Sequence, residues 1–229
     1  MKDTPLKERR LIIAIDGPAG SGKSTTARLL AKRLGYTYLD TGAFYRALTL
    51  KALDEGVLPE DTAAIVKLAE KIKIELQPEE DKNRVLLDGC DVTKAIRAPR
   101  VTEAIAPISE NPAVREIMVE KQRAFGRNGG VVVEGRDIGT VVFPDADLKI
   151  FMQASLEERA RRRQEELAVM GIVRDLETLK KEIARRDHND SRRKVAPLSR
   201  AADAIVLDTT SLTIEQQVEF IVQALKKKS

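Results

Sequence analysis

Tryptophan is absent from this 229-residue chain, and phenylalanine and tyrosine together make up only 3% of it. There is one cysteine, Cys90, and one histidine, His188. A single cysteine excludes an intrachain disulfide, and one Cys with one His makes a Cys/His zinc site implausible. No run approaches the length of about eighteen apolar residues that a membrane span requires. The apolar run nearest the N-terminus, Leu11 to Ile15, is too short for a signal-peptide core and follows Lys2, Lys7, Glu8, Arg9 and Arg10. A soluble, cytoplasmic protein is expected. The strings N-K-x-D and D-x-x-G, which a regulatory GTPase needs, do not occur. Aromatics do not interleave the basic runs, which argues against a nucleic-acid-binding ATPase.

What the chain has is charge. Lys and Arg number 40 against 36 Asp and Glu, for a net +4, and 42% of residues are hydrophobic. This suits one α/β domain with room for a small insert, and a mild basic excess that fits phosphate-rich ligands.

The organising stretch runs from Leu11 to Thr25: an apolar strand, a glycine-rich turn and the start of a helix. Its core, Gly17-Pro18-Ala19-Gly20-Ser21-Gly22-Lys23-Ser24, matches G-x-x-x-x-G-K-S/T. Gly17, Gly20 and Gly22 allow φ > 0, so the N–H groups turn inward as an anion nest. The helix beginning near Lys23 adds its positive dipole end. Lys23 supplies charge to the β- and γ-phosphates, and Ser24 is placed to ligate Mg²⁺. These features imply a nucleoside triphosphate site.

Further strands are expected at 36–39, 131–133, 148–152 and 204–207, separated by helices, which gives a five-stranded, doubly wound parallel sheet. Thr41 is expected to cap the helix that follows Asp40. Period-two alternation at 72–76, a turn at 77–83, a strand at 85–89 and a third at 91–93 predict a small antiparallel insert over 70–97. Helices are expected at 60–71, 99–108, 112–126, 155–170, 175–190 and 213–226. The stretch 155–190 is so charged that it is expected to pack only once phosphates neutralise it. Its run Arg159-Ala160-Arg161-Arg162-Arg163 is either a lid patch that meets ATP or a solvated face paired with Glu157, Glu158, Glu165 and Glu166. His188 is expected on an exposed helix position, and Cys90 in a turn.

The chain resembles the bacterial cytidylate kinases (CMP/dCMP kinases) of the nucleoside monophosphate kinase superfamily. The resemblance rests on IDGPAGSGKST at 15–25, LDTGAFYR at 39–46, PAVRE at 112–116, EGRDIGTVVFPDAD at 134–147, KIF at 149–151, RRDHNDSRR at 185–193, APL at 196–198 and LDTT at 207–210. It implies phosphoryl transfer from ATP, bound by residues 17–25 including Thr25, to CMP or dCMP with Mg²⁺, in pyrimidine nucleotide metabolism. It implies a core of 1–69 and 98–229 with a mobile lid in 155–190, and a CMP-binding role for the insert. Thr41, Tyr45, Arg46, Arg115, Arg136, Asp137, Arg186, Asp190 and Arg193 would bind CMP. Of these, Arg46, Arg136 and Arg193 would hold the acceptor phosphate, Arg115 and Asp137 the cytosine, and Arg186 and Asp190 the sugar. Lys23, Arg136 and Arg193 would act on the transferring phosphoryl group. The chain departs from the family pattern at Ala106, where several relatives carry serine. A carboxylate that accepts from cytosine N4 and an arginine that donates to N3/O2 suit cytosine over uracil. A monomer with small-molecule nucleotide partners is expected, with neither nucleic acid nor membrane. Adenylate, thymidylate and shikimate kinases are the alternatives on the same fold.

Overall fold

The computed structural model describes residues 10–79, 83–169 and 171–228. Glu80, Asp81 and Lys82 of the expected turn, and the charged N-terminal residues up to Arg9, lie outside the described residues. Three strands are almost continuously apolar: β1 (Ile12–Asp16), β6 (Val131–Gly135) and β7 (Leu148–Gln153). Such strands need cover on both faces, and they form the middle of a parallel sheet. With β2 (Thr37–Asp40) and β8 (Ile205–Asp208) the order is β2-β6-β1-β7-β8. The chain starts at the centre with β1, crosses to β2, and later slips β6 between them. The expected five strands are all present.

One face is covered by α1 (Lys23–Leu34) and α8 (Ile214–Lys228), with Ile13, Ile15, Leu30, Val132, Ile150 and Ile221 at its core. The other face takes α2 (Thr41–Asp54), α3 (Thr62–Lys71), α4 (Pro99–Glu110) and α5 (Pro112–Gly126). There Phe44 meets Phe125 edge-on at 5.5 Å, above Leu39, Val131 and Val133. Alternate residues of β6 therefore serve opposite layers, as a period of two requires.

The small antiparallel sheet is β3 (Ile74–Pro78), β4 (Asn83–Leu87) and β5 (Cys90–Asp91). Its third strand is earlier and shorter than the expected 91–93, and Cys90 belongs to it, exposed, rather than to a turn. The reason lies in Thr93. Its N–H and hydroxyl both donate to the Asp91 carboxylate (2.9 and 2.6 Å), and its oxygen accepts from the Val85 N–H (2.9 Å). A side chain thus replaces the ladder where the strand was expected to run on.

One further expectation is corrected. Thr41 is not the cap of α2. Asp40 holds that position in extended conformation, while the Thr41 hydroxyl leaves the helix to donate to the Glu134 carbonyl at 2.8 Å. The charged stretch forms a hairpin of α6 (Leu156–Val169) and α7 (Leu176–Arg192). Ala160, Leu167, Leu179 and Ile183 form a small apolar core of its own, joined by Leu176. Charges outside that core make local pairs such as Arg161–Glu158 and Arg163–Glu166.

Candidate active site

The site lies at the C-terminal ends of β1 and β6, where the strand order reverses and an α/β sheet opens a crevice. Gly17, Gly20 and Gly22 have φ of 152°, 75° and 89°, as the glycine pattern requires. Space is as restrictive as conformation. A Cβ on Gly17 would stand 2.1 Å from the Met152 carbonyl oxygen, and one on Gly20 would stand 3.0 Å from Arg159 Cβ. Ser21 Oγ donates to the Pro18 carbonyl at 3.0 Å and stiffens the turn. Lys23 Nζ donates back to the Pro18 carbonyl at 2.6 Å. Ser24 is exposed on the first turn of α1, directly after Lys23.

Lys23 is buried, and its pKa is lowered to about 7, first by loss of water and next by the Arg136 charge. Glu134 works in the opposite direction, Arg186 lowers the value further, and Asp16 raises it. Burial and neighbouring cations press Lys23 toward its neutral form, and a polyanion would favour its charged form.

The acceptor residues expected from the sequence converge. Arg136 Nε donates to Asp190 at 2.7 Å, joining the end of β6 to α7. Arg186, on the same helix, is exposed by accessible surface. Its guanidinium nevertheless lies in a crowd, and its pKa falls to about 10 through desolvation, then the charge of Arg136, with Arg46 also among the neighbours. Arg46 pairs with Asp40 at 2.5 Å. Arg115 and Asp137, both buried, form an ion pair with each other, and Arg193 Nη2 stands 3.5 Å from the second Asp137 oxygen. Arg115 also lies 5.4 Å from the Tyr45 ring centre and donates to the Ser109 carbonyl at 3.0 Å. Two buried nitrogens here, Arg46 Nε and Arg193 Nη2, have no hydrogen-bond partner. Buried donors left open are costly unless a ligand uses them.

Several participants were not foreseen. Arg159, buried, donates to the Ala19 carbonyl at 3.1 Å and to the Ala154 carbonyl at 3.1 Å, and pairs with Asp187 at 2.6 Å. Arg162 donates to the Thr209 carbonyl at 2.6 Å and reaches the Gly20 carbonyl at 3.5 Å. The arginine run is thus divided: two members hold the outer carbonyls of the phosphate loop, while Arg161 and Arg163 form the solvated face. Tyr38 donates to Glu134 at 2.5 Å, and the tyrosine's pKa is driven well up by burial and by that carboxylate. His188 is exposed on α7, as expected.

A phosphate loop feeding α1, a crevice walled by arginines and a charged helical hairpin beside it define a phosphate-loop kinase of the nucleoside monophosphate kinase type. The family model described as cytidylate kinase matches residues 13–227. A cytidylate kinase of Geobacillus sp. (strain WCH70) is 54% identical over 94% of this chain and 96% of its own. One from Limosilactobacillus reuteri (strain DSM 20016) is 51% identical over 95% and 96%. The chain belongs to the cytidylate kinase family. Among solved structures, an uncharacterised protein from Eubacterium ventriosum ATCC 27560 shares the fold, with a TM-score of 0.50, 14% identity and coverage of 96% and 99%. No helix among the described residues is long and apolar enough to cross a membrane.

Proposed function

We propose that this chain transfers the γ-phosphoryl group of ATP to CMP and dCMP, giving ADP with CDP or dCDP. It would act as a cytoplasmic monomer in pyrimidine nucleotide metabolism. The observation that supports this reading best is the buried Arg115–Asp137 pair beside Arg193, at the end of the strand that also carries Arg136. It offers a fixed carboxylate acceptor next to a fixed fork of donors, the complement of cytosine's N4, N3 and O2. Uracil would set its O4 against the carboxylate oxygen.

The donor triphosphate would enter the loop of residues 17–22, two of whose carbonyls, Ala19 and Gly20, are held by Arg159 and Arg162. Lys23 regains its proton as the phosphates arrive, and Thr25 closes that end. Arg46, Arg136 and Arg193 take the acceptor phosphate, with Arg186 and Asp190 at the sugar. Thr41 and Tyr45 line the same wall, and the sheet of 70–97 closes the acceptor side. Arg136 and Lys23, near enough to repel in the empty site, flank the transferring group and neutralise it in line.

The residues fit Mg²⁺ that arrives on the donor's phosphates. Mg²⁺ keeps most of its waters and needs few protein ligands. Ser24 is exposed on the first turn of α1, Asp16 is fully engaged by main-chain donors, and no cluster of metal-binding side chains occurs among the described residues. Ser24 would help hold the metal, which would supply positive charge to offset that of the phosphates.

A coupled ADP-release assay with CMP, dCMP, UMP, AMP and dTMP tests the reading. CMP and dCMP are expected to exceed the rest in kcat/KM, UMP by about 10⁴-fold, the scale on which a buried polar site rejects a mismatched partner. Preference for AMP, dTMP or shikimate would overturn it.

A further inference from the structure

Asp16 ends β1 and immediately precedes Gly17, the first glycine of the phosphate loop. It is 4% exposed. Its two oxygens have separate tasks: Oδ1 accepts from the Ile138 N–H at 2.7 Å, and Oδ2 from the Gly139 N–H at 2.8 Å. These two N–H groups open the π-turn Ile138–Val142, directly behind Arg136 and Asp137. The turn has no side-chain cap of its own, and Asp137 before it sits at φ −143° and ψ 28°, outside helical conformation. The course of the chain through Arg136 and Asp137 is therefore tied to a carboxylate on another strand.

The packing around this tie is close. A Cβ on Gly139 would stand 3.1 Å from Lys149 Cδ of β7 and 3.4 Å from Asp16 Oδ2. The charged groups that face Asp16 are Asp137 and Lys23, and the Lys149 stem packs beside Gly139. Burial raises the Asp16 pKa to about 6, partly countered by the two N–H bonds. A carboxylate at this position works against its own desolvation, and among the described residues its hydrogen-bond partners are those two main-chain groups.

The geometry points to Asp16 as a positioning residue that clamps the Arg136–Asp137 segment to the head of the phosphate loop, so that donor and acceptor sites keep one separation and the acceptor base one orientation. This rests on the functional reading above. In-line transfer tolerates little misplacement, so a slack clamp would fall on acceptor use and base choice before it fell on donor binding.

The test is Asp16→Asn, which keeps the shape but turns an amide NH₂ against one of the two N–H groups. The expected result is a rise of about tenfold in KM for CMP and a narrowed CMP/UMP ratio of kcat/KM. Affinity for a non-hydrolysable ATP analogue is expected to stay within about twofold, since no donor contact is removed. A merely structural role would lower the melting temperature and leave the CMP/UMP ratio where it was, and that result would overturn the proposal. A second measurement needs no variant. In the wild-type protein, the Ile138 and Gly139 amides are expected to be protected from hydrogen exchange by their bonds to the Asp16 carboxylate. Amides that exchange at unprotected rates would overturn the clamp even if Asp16→Asn does not fold. Wild-type protein that fails to turn over CMP would defeat the functional reading alone and leave the amide exchange to judge the clamp.

Discussion

Arg159 on α6 and Asp187 on α7 are joined at 2.6 Å, and the same guanidinium nitrogen reaches the Ala19 carbonyl of the phosphate loop at 3.1 Å. One side chain thus connects the charged hairpin to the donor site. Arg159→Ala removes both links and leaves Asp187, one of whose buried oxygens already lacks a partner, without its cation. We expect the KM for ATP to rise about tenfold, the scale of losing one hydrogen-bonded charge, with a smaller change for CMP. Arg159→Lys would recover little, because a single ammonium cannot span three partners. Steady-state kinetics with each substrate varied in turn checks this.

Lys23 is expected to gain a proton when the donor binds. At pH 8 a group with its pKa near 7 is mostly neutral, and arriving phosphates favour the charged form. Titration calorimetry of an ATP analogue in two buffers of different ionisation heat is expected to show uptake approaching one proton at pH 8. It should vanish in Lys23→Met. Lys23→Ala is expected to lower kcat by at least ~10²-fold, the scale of losing a group that stabilises transition-state charge.

The same residue makes a stability prediction with a definite sign. Lys23 holds its proton more weakly in the fold, about 7, than at its ordinary 10.5. The penalty for burying its charge is therefore complete below pH 7 and disappears as pH rises toward 10.5. Ligand-free Lys23→Met is expected to be more stable than wild type at pH 6 by about 2–3 kcal/mol, with the gain shrinking at alkaline pH. The full shift would imply more, but Met forfeits the bond to Pro18. Denaturant unfolding at pH 6 and pH 9 reads both ends.

Asp137→Asn tests how the base is read. The substitution keeps the shape, weakens the pairing with Arg115 and adds an amide donor. Loss of a charge-assisted bond worth about 1.5–3 kcal/mol lowers kcat/KM for CMP, while the new donor eases entry of UMP. The CMP/UMP ratio narrows from both sides. Arg136→Ala, acting on the phosphate common to both nucleotides, lowers both alike. An unchanged ratio in Asp137→Asn would require another role for that carboxylate.

Hydrogen exchange separates two parts of the hairpin. Amides around Leu167 and Leu179 lie in its own apolar core and are expected to be protected without ligand. Those from Arg186 to Arg193, whose partners are across the crevice, are expected to slow only with both nucleotides bound. Uniform slowing along the hairpin would contradict this division.

Much of this was legible in the sequence. The phosphate loop announces itself through three glycines and Lys23, because backbone conformation and charge there leave few substitutes. The parallel strands show as Ile12–Ala14 and Val131–Val133, since a strand covered on both faces reads as a nearly continuous apolar run. Legibility ended where a role depends on distant partners. Asp16 looks like one polar residue closing an apolar strand, and its bonds lie 122 and 123 positions away. Arg159 and Arg162 share a run with two arginines that face solvent, and helical phase alone does not reveal that the phosphate loop waits on one side. The hairpin's core hid for a simpler reason: four apolar side chains spread over two helices raise no signal above the charge around them.

That private core has a mechanical consequence. Two helices bonded along their length form a stiff beam, and α7 alone, at 17 residues, is about 25 Å long. A stiff beam transmits rotation without loss, so a turn of a few degrees at its base sweeps the far end, near Val173, through ångströms. Arg159 sits near the fulcrum, where force is large and travel small. Arg186 and Asp190 sit on the arm that returns toward the crevice. Such a beam would carry a rotation at its base to side chains several turns away, with no segment along it needing to unfold.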